Sequence, residues 1–175
     1  GRQLKLDVEK ALFDNNARVA GNSTTARELA GAPAWLTTNT DAGSGGSDAT
    51  GDGTDARTDG TQRAFTETLL NTVLQSIWEN GGNPDKVYMS AANQNIGAGF
   101  EGNAPRRHTD TGDGTVNNFI DIYVTNWGRV EFVPSREIRA RDVLVLQCDK
   151  WAFAEKRAMQ STMLAKTGDN TKYQM

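Results

Sequence analysis

Three stretches of this 175-residue sequence carry residue types that could do chemistry. The first is 40–60, TDAGSGGSDATGDGTDARTDG, where Asp48, Asp52 and Asp55 sit among glycines. Carboxylate oxygens are the hard ligands that calcium takes. The spacing matches neither an EF-hand loop nor a repeated nine-residue calcium turn. With almost no apolar residue, the segment cannot offset its ordering entropy by burial, so a mobile surface loop is expected. A calcium-binding surface or adhesion module is kept as the alternative.

The second stretch surrounds His108, the one histidine, which excludes a histidine metal cluster and a Ser-His-Asp or Cys-His site within one chain. Asp110 and Asp113 lie beside it in a Gly-Thr turn, with no apolar wall to raise a carboxyl pKa for acid catalysis. Just upstream, Gly97-Ala98-Gly99-Phe100-Glu101-Gly102 spells the dinucleotide-loop pattern. That loop must open a helix whose N-terminus holds the pyrophosphate, and Asn103-Ala104-Pro105-Arg106-Arg107 cannot. We reject the match. Cys148 is alone, so no internal disulfide is possible and a reducing compartment is the default. No catalytic, cofactor-binding or metal-binding residue is assigned, and no cofactor or small-molecule substrate is expected.

The third stretch is basic: Arg136, Arg139 and Arg141 precede the apolar run Val143-Leu144-Val145-Leu146. A guanidinium fork suits bidentate carboxylate contacts. The aromatic platforms of single-strand binding are not interleaved with these arginines. The net charge of -3 also argues against nucleic acid as the main partner. Arg106, Arg107, Asp113, Arg136, Arg139 and Arg141 are therefore expected at a subunit seam.

The elements positioning these stretches read as α+β. Residues 2–19 form an amphipathic helix with Leu4, Val8, Ala11 and Leu12 on one face, ended by Asn15-Asn16 or Gly21-Asn22. Ser23 could cap a second helical piece over 24–29, closed by Gly31 and Pro33, with an extended segment from Ala34. Thr66 caps a helix reaching Asn80, with Leu69, Leu70, Val73, Leu74, Ile77 and Trp78 as its stripe and Gly81-Gly82 as its stop. A short strand over 86–90 and a polar helix over 91–96 follow. Residues 119–125 and 130–133 make a hairpin around Asn126-Trp127-Gly128, and 144–147 and 151–154 supply two more strands. No apolar run approaches the ~20 residues of a membrane span, and no signal peptide opens the chain. Its start inside a helix suggests a trimmed or processed form.

Several segments in order resemble one family. They are Glu28-Leu29-Ala30-Gly31-Ala32-Pro33-Ala34-Trp35-Leu36, the helix 70–80 with Gly81-Gly82-Asn83-Pro84, and the strand 87–90. Arg139-Ala140-Arg141-Asp142-Val143-Leu144-Val145-Leu146 and Leu164-Ala165-Lys166-Thr167-Gly168-Asp169 continue the series. Together they are similar to the tailed-phage major capsid proteins of the SU-ten type. The resemblance implies a Hong Kong 97 capsid fold, self-assembly into hexamers and pentamers of an icosahedral head, and residence in the virion after synthesis in the host cytoplasm. It implies a peripheral domain over 1–34 (the end of a spine helix) and 135–175, with an axial domain over 35–134. It also implies that an N-terminal arm, a hairpin loop and a final strand of the family lie outside this sequence. Packaged double-stranded DNA would meet the inner face without sequence preference.

Overall fold

A computed structural model describes residues 2–100 and 122–154, and the backbone of 162–163 and 173–174. Among the described residues three α-helices, α1 (Arg2–Phe13), α2 (Glu67–Glu79) and α3 (Ala91–Gly97), accompany six strands. These are β1 (Lys86–Met89), β2 (Ile122–Thr125), β3 (Gly128–Pro134), β4 (Val143–Leu146), β5 (Thr162–Met163) and β6 (Tyr173–Gln174). The first four strands form one mixed sheet in the order β2-β3-β1-β4, and β5 pairs with β6. The architecture is α+β.

Strand alternation builds two cores, one on each face of that sheet. β1 is parallel to β3 and antiparallel to β4, so Val87 stands opposite both Phe132 and Val145. Val87, Met89, Val130, Phe132 and Tyr123 point to the same face, where Leu70 and Leu74 of α2 and Phe100 pack on them. Burying each such side chain contributes about 1.5–3 kcal/mol, which makes this face the main source of stability. On the opposite face Leu144 and Leu146 pack with Ala32 and Ile138, and Phe13, Leu36 and Tyr88 close over them. The Phe13 and Tyr88 rings lie 5.3 Å apart and fasten the end of α1 to the sheet. Glu9 adds a polar fastening, accepting from Ser135 Oγ at 2.9 Å.

α2 is specified locally at both ends. The Thr66 hydroxyl accepts from the Leu69 amide, and Phe65 beneath the cap packs onto the core that holds Leu70. At the other end Gly81 takes φ +81°, and the Gly82 and Gly81 amides donate to the Ile77 and Trp78 carbonyls. That pair of bonds is a Schellman stop, which requires a residue tolerant of the left-handed region. The hairpin β2–β3 turns on Asn126-Trp127, with Thr125 opposite Gly128.

Four expectations change. α1 ends at Phe13, the earlier of the two stops. Residues 24–29 are not helical: the Asn22 side chain accepts from the Thr24 and Thr25 amides at 2.9 and 2.8 Å, and Val19 pairs antiparallel with Glu28. That side chain is placed as a helix cap would be, but the Thr25 carbonyl is taken by the Asn22 amide and the Glu28 amide by the Val19 carbonyl, so backbone groups that a helix would use internally are already bonded. Ala32–Trp35 is a short 3-10 turn rather than the start of an extended run, because Pro33 at its first turn is pre-set for helical φ. Residues 151–154 are not a strand, and Trp151 and Phe153 are 39% and 51% exposed rather than in a core. β1 supplies partners for β4 only up to Lys86 opposite Leu146, and beyond it Asp85 Oδ1 takes the Cys148 amide at 2.7 Å. The chain then turns away through Cys148–Lys150. The loop at 106–116 and the first residues of the 119–125 strand lie outside the described residues.

Candidate functional site

The acid-rich segment is wired into the molecule more densely than its composition suggests. Its arms pair through Ser47 and Thr58, whose amides and carbonyls exchange two hydrogen bonds at 3.2 and 2.9 Å. Thr61 N donates to Ser44 O at 2.9 Å, closing the neck. A Cβ on Gly60 would lie 2.2 Å from the Gly43 carbonyl oxygen, so only glycine allows the arms to approach this closely. At the tip, Asp52 accepts from the Thr54 amide and hydroxyl and Asp55 from the Thr50 amide, while the one Thr50 hydroxyl lies between the two carboxylates, 3.0 Å from Asp52 and 2.5 Å from Asp55. The bonds from Thr54 hold the Asp52 carboxyl at a pKa of about 2, and Thr50 lowers that of Asp55. Asp48 accepts from Thr40 Oγ1 and pairs with Arg57 at 3.3 Å. The three acids singled out for calcium are thus each held by hydroxyls, amides or an arginine. Among the described residues no three acidic, histidine or cysteine side chains converge as a metal site.

Three sets of contacts dock this lobe onto the rest of the chain. Asn15, just past α1, brackets Arg57, with its Nδ2 donating to the Arg57 carbonyl at 2.7 Å and its Oδ1 accepting from the Arg57 amide at 3.1 Å. Nearby, the Arg18 amide donates to Gly53 O at 2.8 Å. Gly53, at φ +76°, presses on Trp35, where an added Cβ would lie 2.7 Å from the ring. At the start of the segment, Asn39 Oδ1 accepts from Ser76 Oγ and Asn80 Nδ2 at 2.9 and 2.8 Å, anchoring it to the end of α2.

The third set is the charged one. Arg139 grips Asp59 with two parallel bonds, Nη1 to Oδ2 at 2.8 Å and Nη2 to Oδ1 at 2.9 Å, while its Nε donates to Asp142 at 2.6 Å. Arg141 lies 3.3 Å from Asp59 and donates to the Gly60 carbonyl at 2.5 Å. The hydrogen bonds from Arg139 hold the Asp59 carboxyl below its usual range, and the same contacts raise the pKa of Arg139.

Of the residues expected at a seam, the structure brings Arg139 and Arg141 together on Asp59 of their own chain. Arg136 stands apart and exposed. Arg106, Arg107 and Asp113 lie outside the described residues, as does His108. Asp59 itself was not singled out from the sequence, since its neighbourhood does not distinguish it from Asp48, Asp52 or Asp55.

Between the lobe, α2 and β4 runs a cleft of about 650 Å³. Leu69, Val73 and Ile77 line its helical side, Val145 its strand side, and Asp59 and Arg141 its rim. Only Leu70 and Leu74 of α2 are fully buried, so this half of the helix stripe is incompletely covered. Cys148, which does not line the cleft, is not an activated nucleophile. Cys148 has Tyr88 Oη 3.7 Å from its sulfur, and burial raises the pKa of both groups, that of tyrosine to about 12. A thiol so held stays protonated. Tyr123, also raised to about 12 by burial and its bond to Glu67, is a core group rather than an acid-base one. Among the described residues no helix is long and apolar enough to cross a membrane.

Comparison with known proteins follows the same direction. The model of the SU10 major capsid protein family matches residues 1–175, and no curated protein matches the chain. That family is a structural class. A match over all 175 residues means that the chain belongs to the SU10 major capsid protein family of bacteriophages, whose members form the virion shell.

Proposed function

We propose that the chain is a head subunit with the Hong Kong 97 capsid fold, self-assembling into the hexamers and pentamers of an icosahedral shell. The observation that carries this reading is α1. It bears Leu4, Val8, Ala11 and Leu12 along one face, yet none of its residues is buried within the chain. Leu4 is 39% exposed and Val8, Ala11 and Leu12 are only half-buried, and an apolar stripe that its own chain covers in part fits a helix completed by a neighbouring subunit. The exposed Trp78, whose ring lies 5.2 Å from that of Trp127, offers a second such surface at a different edge. A subunit that shows different edges to different neighbours makes heterologous contacts, which close into rings.

In this reading 1–34 and 135–175 form the peripheral domain, with α1 as the end of its spine, and 35–134 form the axial domain. Arg106, Arg107, Asp113 and Arg136 face adjacent subunits, and Arg139 and Arg141 contact them from the domain junction. Packaged double-stranded DNA meets the inner face. The net charge of -3 keeps that contact weak, because each neutralised phosphate would strengthen non-specific binding. The subunit is made in the host cytoplasm and ends in the virion.

The test is the mass in solution, by sedimentation, of the 175-residue chain and of the full open reading frame that encodes it. Pentamers, hexamers or shells from either form support the reading. Monomers from both, at every concentration and ionic strength tried, would overturn it.

A further inference from the structure

The lobe closes on itself before it closes on anything else. Its arms pair at Ser47 and Thr58, its neck is bonded at Ser44 and Thr61, and its tip is organised by Thr50 and Thr54 around Asp52 and Asp55. A unit with its own backbone pairing can shift as a body without unfolding. Its attachments to the rest of the chain are different in kind, being mostly polar. Ala49 is its buried apolar residue, at 5% exposure. The charged attachment is also half-open to solvent: the side chains of Arg139, Arg141 and Asp59 are 23%, 30% and 33% exposed.

Beneath this attachment lies the cleft, whose apolar wall holds Leu69, Val73, Ile77 and Val145. The two stems of the lobe, 37–43 and 57–63, line its other side, and Asp59 and Gly60 meet the arginines at its rim. We propose that residues 43–61 are a releasable strap, latched by Arg139 and Arg141 onto Asp59 and Gly60, and that release uncovers the apolar wall of α2 and β4. Asp142 makes the latch a two-position device. It holds Arg139 Nε at 2.6 Å from the side away from Asp59, so the guanidinium stays aimed at its socket when the strap leaves. Fixed elements with two discrete arrangements are the ordinary basis of such switching. The bidentate, networked pair is stronger than a lone surface ion pair, yet at 23–33% side-chain exposure it is still reached by solvent and salt, which suits a latch that holds and can be opened.

The experiment is backbone amide exchange, read peptide by peptide, on the whole chain and its Asp59→Asn variant, with binding of an apolar-surface dye measured in parallel. Asp59→Asn removes the charged socket and leaves the Arg139–Asp142 pair intact. The expected result is exchange about 3- to 10-fold faster across 43–61, unchanged exchange in β1 and β3, and increased dye binding. The unsubstituted chain in 1 M salt, where the screening length is about 3 Å, should show the same pattern, which covers the case of a variant that does not fold. Asp142→Asn should leave 43–61 closer to the parent than Asp59→Asn does. Unchanged exchange in 43–61 would overturn the latch. So would a rise shared equally by β1 and β3, which would make Asp59 a general stability residue. Faster exchange in the lobe without added dye binding would overturn the uncovering of the wall.

Discussion

The face of the sheet under α2 and the lobe at 43–61 are adjacent parts of one chain held by opposite physics. In the first, Leu70, Leu74, Val87, Met89 and Val130 are each no more than 2% exposed, and their stability comes from area removed from water. In the second, an apolar residue is nearly absent, and order comes from hydroxyls and amides converging on carboxylates. The contrast teaches that low apolar content alone does not mean a segment lacks specific structure. Threonine beside aspartate supplies local bonds that the burial argument leaves out.

Substitutions and solvent conditions can break or sharpen that contrast. The largest effect is expected from Leu74→Ala, where a side chain 1% exposed leaves a cavity between α2 and β1. It should lower global stability by about 2–5 kcal/mol in a denaturant titration, with the lobe lost only in the same transition. Gly53→Ala should cost about 1–2 kcal/mol, from φ +76° and the contact with Trp35. Its effect should appear first as faster amide exchange in the lobe, with the core peptides little changed. Thr66→Ala should cost about 1 kcal/mol by removing the cap of α2, visible as a small fall in midpoint with the lobe unaffected.

Acid separates the two regions without mutation. The Asp52, Asp55 and Asp59 carboxyls have folded-state pKa values below the ordinary 3.8, that of Asp52 about 2. Groups lowered in this way stabilise the fold above their unfolded pKa, and that contribution disappears as pH falls through the folded value. Exchange in the lobe, corrected for its intrinsic pH dependence, should therefore rise between pH 4 and pH 2 before the core peptides respond. Equal responses would mean that the carboxylates do not hold the lobe.

How much of this was legible in the sequence follows the same division. α2 was readable to its ends, because Thr66, Phe65 and Gly81-Gly82 act within one turn of the positions they control. The turn at Asn126-Trp127 and the strand 86–89 were readable for the same reason. The failures were at places decided by distant partners. Nothing near Trp151 says that β1 runs out of partners at Lys86. The helix expected over 24–29 lost to backbone pairing of Glu28 with Val19, nine residues away. Asp59 meets Arg139 across 80 residues, a pairing that no spacing rule anticipates. Arg139 and Arg141 were expected at a subunit seam, and the carboxylate both reach, Asp59, lies in their own chain.

The most direct test of the account is a side-chain-resolution map of the assembled particle. The account predicts shells built from this chain, with Leu4 and Val8 of α1 covered by an adjacent subunit and Arg136 at a subunit boundary. Shells in which that stripe faces open solvent in every capsomer, or whose wall is built from a different chain, would contradict it.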